Sequence, residues 1–421
     1  MFKKLFKSFS IYSLSSVISA ILGLLILPIL TKHLSQKDYG ITALFNAYVL
    51  VLSPFLNLSS GGYFWIQFFK KENSKSDLNK LFSTYFWFVL FSLVAITIVI
   101  AFVFPFFQDY SIFSFVFILL LPLTSFLSIL SDEPKNFFIN SKFTISYFVY
   151  SVFITIVELG LTYYFVVYVF RSWEGRILAW ICSLIMQFLF SIWLFGIKVK
   201  LISFSFDKNV LYKILNFGYP LIFHQLGKFV VNQSDRLFIT KMVSIDEAGV
   251  YSIGYQIGAT ILLPIIAFGN YYSPFVMERL VAIDNFKKLE ITKMSYTFLG
   301  FMLLFFFLQI LIAPFFFDVF IDKKFEQGLE YVFWTGLAYV FWGAYLMFSS
   351  VLFYYGKTKF LGWISIFNIL LNCVLNYFFI LHFGAIGAAY ATLVSFICIF
   401  FISAWYSNRL FPMPWLFFVN K

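Results

Sequence analysis

The chain has 421 residues, of which 62% are hydrophobic and only 12% charged, with a formal net charge of +11. Soluble domains carry about 25% charged residues, so a mean hydropathy of +0.90 excludes a soluble globular protein and defines a polytopic membrane protein. The positive balance then reads as Lys-rich loops facing anionic lipid, not as a nucleic-acid surface.

Apolar runs long enough to cross a bilayer recur about 12 times. The first six lie near residues 9–30, 41–68, 81–105, 112–130, 143–170 and 176–197. The second six lie near 213–240, 249–276, 293–316, 329–353, 359–381 and 384–406. The first run follows MFKKLFKSFS. It is too long for a signal peptide and no small-residue cleavage site ends it, so it is expected to stay as a span. The long second and fifth runs imply tilt or an interfacial extension.

The Lys and Arg residues sort by side. With the N-terminus inside, 21 of them fall in cytoplasmic segments and 7 on the other side. Both termini are therefore expected in the cytoplasm. No loop exceeds roughly 20 residues, too few for a soluble catalytic domain. The polar connection at 198–213 lies at the midpoint of the chain, which suggests two domains, 1–206 and 207–421.

The halves resemble each other at a fixed shift of 209. Thr31, Lys32, Ser35 and Gly40 match Thr240, Lys241, Ser244 and Gly249, and Asp38 matches Glu247. Pro105, Phe106, Phe107 and Asp109 match Pro314, Phe315, Phe316 and Asp318. The first motif reads as a tight external turn that needs Gly40. An even number of helices per half gives both halves one orientation. The expected fold is thus all-α, with about 12 transmembrane helices in two parallel six-helix lobes around a central cavity.

The seventh run holds the sharpest chemistry. It reads FGYPLIFHQLGKFVVNQSDRLFITKM from Phe217 to Met242. At about 100° per residue, His224, Lys228 and Asp235 share one helix face, with Asn232 and Arg236 beside it. Each ionised side chain at the bilayer centre costs about 2.5–3.5 kcal/mol. That face must meet a partner helix or a wet cavity. Lys228 either meets an anionic group such as a diphosphate or pairs with Glu158 or Asp235. Arg236 has a planar fork suited to phosphate, or else forms a structural pair with Asp235. Glu158, in the middle of the fifth span, is a proton or sodium site or a partner for Lys228. Asp235 is a charge partner or takes part in ion coupling. His224 is a packing residue or a ligand contact. Asn368, Asn372 and Asn376 recur every four residues in the eleventh span, and Ser8, Ser15, Ser16 and Ser19 dot the first. Either stripe could bind sugar hydroxyls or join helices by hydrogen bonds.

Catalytic motifs are missing: the chain has no HExxH, GxSxG, P-loop or GxGxxG. No catalytic residue, cofactor or metal site is expected. Cys182, Cys373 and Cys398 sit in apolar runs, an odd count that argues against disulfides and metal alike. Asp132 and Glu133 read as a solvated helix cap before Pro134. The abundant Phe, 64 residues, reads as lipid-facing and packing surface.

The stretches LPILTKHLSQKDYG (27–40), FGYPL (217–221), SDR (234–236) and AGVYSIGYQ (248–256) resemble the motifs of polysaccharide-export flippases. These are O-antigen and capsule repeat-unit translocases of the multidrug/oligosaccharidyl-lipid/polysaccharide exporter superfamily. The resemblance covers nearly the whole chain. It implies an undecaprenyl-diphosphate-linked oligosaccharide flipped outward across the bacterial cytoplasmic membrane by alternating access. Lys228 and Arg236 would be the cationic residues of the path, with His224, Asn232, Asn368 and Asn372 as further substrate contacts. Membrane lipid, a glycan polymerase and chain-length proteins would be partners. The first helix lacks the charges typical of lipid II flippases. The alternatives are a multidrug antiporter of the same superfamily, needing an acidic site at Glu158 or Asp235, and a membrane glycan polymerase or glycosyltransferase. A scaffolding membrane protein would not need the aligned charged face.

Overall fold

A computed structural model describes residues 18–19, 21–69, 74–106, 112–280 and 284–415; within these ranges the side chains at 220, 223–224, 227–228, 231–232 and 358 lie outside the description. Every regular element among the described residues is helical. Among the described residues, ten helices are long and apolar enough to cross a membrane, and they coincide with the second to sixth and eighth to twelfth runs. Of the first run, the helix Ile21–His33 is described; Ser8, Ser15 and Ser16 lie outside the described residues. The seventh run is one helix of 35 residues. By its contacts the chain divides into two compact units, Met1–Phe229 and Val230–Lys421.

In the first unit, α1 (Ile26–His33) turns into α2 (Gln36–Asn57). Ser35 sets the turn. Its hydroxyl accepts the Asp38 amide at 3.1 Å while the Asp38 carboxylate accepts the Ser35 amide at 3.1 Å, a reciprocal capping box. Gly40 lies inside α2, so the serine and not the glycine makes this turn. The run at 41–68 is two helices: after α2, Leu58 and Ser59 take φ of 44° and 54°, and α3 (Gly61–Phe68) follows. Gly218 of the FGYPL motif seats here, because a Cβ on it would overlap the Leu58 carbonyl and come within 3.0 Å of Ser60.

A second capping box, Ser74 with Asp77, opens α4 (Lys75–Val103), so this helix starts six residues before its apolar stretch. Then come α5 (Phe115–Ser131), α6 (Glu133–Asn140), α7 (Thr144–Tyr163) and α8 (Trp173–Ile192). Both α7 and α8 run on into a π-helical turn, Tyr164–Val169 and Trp193–Lys198. Asp207 opens α9 (Lys208–Met242), accepting the Asn209 and Val210 amides at 2.8 and 3.2 Å and pairing with Lys80 at 2.9 Å. The Lys80 ammonium and those amides hold the Asp207 carboxyl below its ordinary pKa. Much of the Phe content packs inside: Phe64, Trp65, Phe82, Phe137, Phe138 and Phe195 form one aromatic core. Other Phe side chains, such as Phe102 and Phe106, face outward as lipid-facing surface requires.

The acidic pair at the α5–α6 junction is not a solvated cap as a whole. Asp132 is exposed and pairs with Lys135 at 3.1 Å. Glu133 is buried, and its carboxylate accepts the Trp65 indole N–H at 2.9 Å. Burying a carboxylate costs several kcal/mol unless donors surround it, and the core supplies one.

In the second unit, Ser244 caps α10 (Ile245–Gly258) by accepting the Glu247 amide at 3.0 Å, the same device as Ser35 at the repeat-related position. A 3₁₀ turn (Ala259–Ile261) leads to α11 (Leu262–Leu280). Asp284 caps α12 (Asn285–Phe320). Then follow α13 (Leu329–Tyr354), α14 (Thr358–Phe383) and α15 (Ile386–Leu410). Helix α13 is central, packing on α10, α11, α12 and α15. Its span is 67% buried, against 11% for the outward-facing α4. Gly258 permits the close approach of α10 and α13, since a Cβ on it would strike Thr335.

Candidate functional site

The second unit gathers several of the singled-out residues into one polar cluster. Asp235, from α9, is fully buried. Its Oδ2 accepts the Tyr251 hydroxyl of α10 at 2.6 Å and the Thr392 hydroxyl of α15 at 3.2 Å. Its Oδ1 accepts the Asn376 amide of α14 at 3.1 Å. Four helices thus meet at one carboxylate. A lone carboxylate in such a place is prohibitively costly; three donors make it tenable.

Arg236 is buried as well, at 5% exposure. Its guanidinium lies over the Tyr255 ring, 4.4 Å from the centroid, and 6.0 Å from that of Tyr251. A cation over an aromatic face is worth about 2 kcal/mol when desolvated. Tyr255 in turn hydrogen-bonds the Tyr339 hydroxyl of α13. Tyr251 and Tyr255 are one turn apart on α10, so the AGVYSIGYQ motif presents both rings to α9.

The Asn stripe of α14 joins the cluster. Asn372 and Asn376 are fully buried. The Asn376 amide also donates to the Asn372 side chain at 3.0 Å, and Asn372 reaches Ser395 of α15 at 3.4 Å. Asn368 is buried one turn away. The side-chain oxygens of Asn368 and Asn376 have no hydrogen-bond partner among the described residues. The Asp235 carboxylate, the Thr392 hydroxyl and the spare Asn376 oxygen are hard donors that fit a hard cation, not a thiophilic metal; Asn368, two turns from Asn376, stands outside that set.

Glu158 belongs to the first unit. Its partner is Arg176, at 2.9 Å, whose other nitrogen donates to Thr162 at 2.9 Å. Of the two carboxylates weighed as partners for Lys228, Glu158 is therefore held by Arg176, and Asp235 by Tyr251, Asn376 and Thr392. The side chains of His224, Lys228 and Asn232 lie outside the described residues. Tyr251, Tyr255, Thr392 and Arg176 are the participants that spacing did not single out. The i, i+4 Tyr pair was the available signal.

A chain with this number of apolar helices among its described residues, four of its helices joined by a buried carboxylate, has the architecture of a multi-pass membrane protein. It belongs to the family described as "Polysaccharide biosynthesis protein", whose profile matches residues 5–272. A second profile, MatE, matches residues 220–378. An "Uncharacterized membrane protein" of Haemophilus influenzae is 25% identical over 400 residues, covering 93% of this chain and 92% of its own. Among solved structures, the lipid II flippase MurJ in an inward closed conformation aligns with a TM-score of 0.68 at 20% identity, over 94% of this chain and 87% of MurJ. An inward-facing multidrug resistance MATE transporter of the MOP superfamily aligns with a TM-score of 0.67 at 13% identity, over 94% of both chains. At these identities the likeness is one of fold alone.

Proposed function

We propose that the protein is a lipid-linked oligosaccharide flippase. It moves undecaprenyl-diphosphate-linked glycan repeat units across the bacterial cytoplasmic membrane by alternating access, for O-antigen or capsule synthesis. The observation that carries this reading is the polysaccharide-biosynthesis family match on a fold shared with a lipid II flippase. The domains are the six-helix halves 1–206 and 207–421, and both termini are cytoplasmic. Lys228 meets the diphosphate, with His224, Asn232, Arg236, Asn368 and Asn372 as further substrate contacts. No P-loop is present, so an ion gradient or consumption of the product drives the cycle. A coupling cation would be held by Asp235, Asn376 and Thr392, and its binding would shift the balance between conformations by its differential affinity for them.

The test replaces Lys228 with Ala and measures surface glycan in a deletion strain at matched protein level. A loss of most surface glycan is expected. Full restoration removes Lys228 from the mechanism. The MatE match over 220–378, which includes Asp235, favours a second reading, an ion-coupled multidrug antiporter. Extrusion of a cationic dye by the wild-type protein, with unchanged surface glycan in the deletion strain, would replace the first reading by the second.

A further inference from the structure

The first unit contains a cavity of about 360 Å³ whose described lining includes residues of α5 to α8. Helix α7 supplies one wall through Tyr147, Ser151, Thr155 and Glu158. Their spacing of four, four and three puts them on one helix face. That face is about 16 Å long at 1.5 Å per residue. Helix α8 supplies Trp180 and Gln187, two turns apart. Asp132 and Lys135 stand at one end, and Asp132 is 62% exposed there. The slot therefore opens at the α5–α6 junction, on the side that the Lys and Arg distribution assigns to the cytoplasm.

Polar stripes on packed membrane helices are ordinarily closed by bonds between the helices. These are not. Ser151 is 9% exposed, and its hydroxyl has no hydrogen-bond partner among the described residues. The Ser19 hydroxyl, on the same cavity, has none either. A buried hydroxyl left unpaired costs about 1–3 kcal/mol, so the slot is built to receive polar groups from elsewhere. Its charges restrict what those groups are. The Lys135 ammonium is held by Asp132 at 3.1 Å, and the Glu158 carboxylate by Arg176 at 2.9 Å. Among the described lining residues, neither the Lys135 cation nor the Glu158 carboxylate is left without a counter-ion to await a phosphate or a cationic drug. What remains is a set of hydroxyls, one amide and carboxylate oxygens able to accept O–H groups, beside the rings of Trp180 and Tyr147. Flat apolar faces next to converging hydrogen-bond groups are complementary to a pyranose ring, which has apolar C–H faces and a polar rim. The volume lies at the lower end of the roughly 300–1,000 Å³ typical of small-molecule sites, enough for one or two sugar rings.

We propose that this slot of the first unit is a glycan subsite that binds an uncharged sugar ring of the transported oligosaccharide. The proposal rests on the flippase reading. The slot takes the ring, while the diphosphate is handled elsewhere. Entry is from the exposed Asp132–Lys135 end.

The test is saturation-transfer NMR on the full-length protein in lipid nanodiscs, with free N-acetylglucosamine and tetramethylammonium as probes. A sugar signal is expected that falls at least fivefold in Ser151→Phe, which fills the slot. The near-isosteric pair Thr155→Val with Gln187→Leu, which keeps its volume, should lower it as well. No sugar signal, a signal unchanged in both variants, or a signal from tetramethylammonium alone overturns the proposal. Surface glycan in the deletion strain is scored in parallel. A Ser151→Phe variant that restores it to wild-type level also overturns the subsite. Wild-type protein that restores none, yet shows a sugar signal lost in both variants, retires the flippase reading and leaves the slot a sugar site.

Discussion

The Asp235 cluster permits a quantitative test of whether its carboxylate is charged. The Tyr251 hydroxyl sits 2.6 Å from Oδ2 of a fully buried side chain. Hydrogen bonds to charged groups contribute about 1.5–3 kcal/mol. Hydrogen bonds between membrane helices average only about 0.6 kcal/mol. Tyr251→Phe removes the donor and keeps the ring that packs beside Arg236. In the wild type it should cost about 1.5–3 kcal/mol, since Asn376 and Thr392, at 3.1 and 3.2 Å, are longer bonds that cannot replace it. In an Asp235→Asn background the acceptor is neutral, and the same change should cost about 0.6 kcal/mol. The double-mutant cycle is read by reversible unfolding in mixed detergent micelles, followed by Trp fluorescence. An equal cost in both backgrounds refutes the reasoning: the acceptor would then not be an anion, and the donors would not be there to stabilise one.

Three further outcomes follow from local geometry. Gly258→Ala should destabilise the second unit by about 1–3 kcal/mol, because its Cβ would strike Thr335; adding Thr335→Ala should recover part of the loss in the same unfolding assay. Ser35→Ala and Ser244→Ala should each cost about 1 kcal/mol through loss of an N-cap, whereas Ser35→Asp should cost much less, as thermal unfolding curves would show. The Asp207 carboxyl titrates below its ordinary value, so its stabilising effect is fully present above the unfolded pKa of about 3.9 and fades as pH falls through the lowered folded value. Asp207→Ala should therefore be less stable than wild type at pH 6, and the two should converge in strongly acidic buffer. A gap that persists there contradicts this assignment.

The spans were legible because apolar length is a local property, written into each run by the bilayer's thickness. The cap at Ser35 was visible as a motif but misassigned, since Gly40 looked like the turn residue until Asp38 was seen bonding back. The break at Leu58 and Ser59 was not legible. Neither is glycine, and what holds their positive φ is local and tertiary together: the Ser59 amide donates to the Asn57 side chain at 2.8 Å, and Gly218 closes on the Leu58 carbonyl. The site shows the same divide. Spacing placed Asn372 and Asn376 on one face of α14. It could not say that Asp235 would draw its donors from residues 16, 141 and 157 positions away. Glu158 shows the same limit. Its partner Arg176 sits 18 residues on, across a helical hairpin, a pairing that no local spacing announces. Asp132 and Glu133 read alike as neighbours; only the aromatic core around Trp65 separates their fates.

The serine caps carry a last implication for how the internal repeat came to be readable at all. A serine N-cap, reciprocal at Ser35 and one-way at Ser244, is closed within four residues, so either copy keeps working whatever happens to the helices around it. The hydrogen bonds of Asp235 require four side chains from four helices to change in step, and the counterparts at the shift of 209 are Ile26 for Asp235 and Leu27 for Arg236. In a doubled chain, self-sufficient hinges are the part that stays recognisable in both copies, while jointly held features drift until one copy bears them alone.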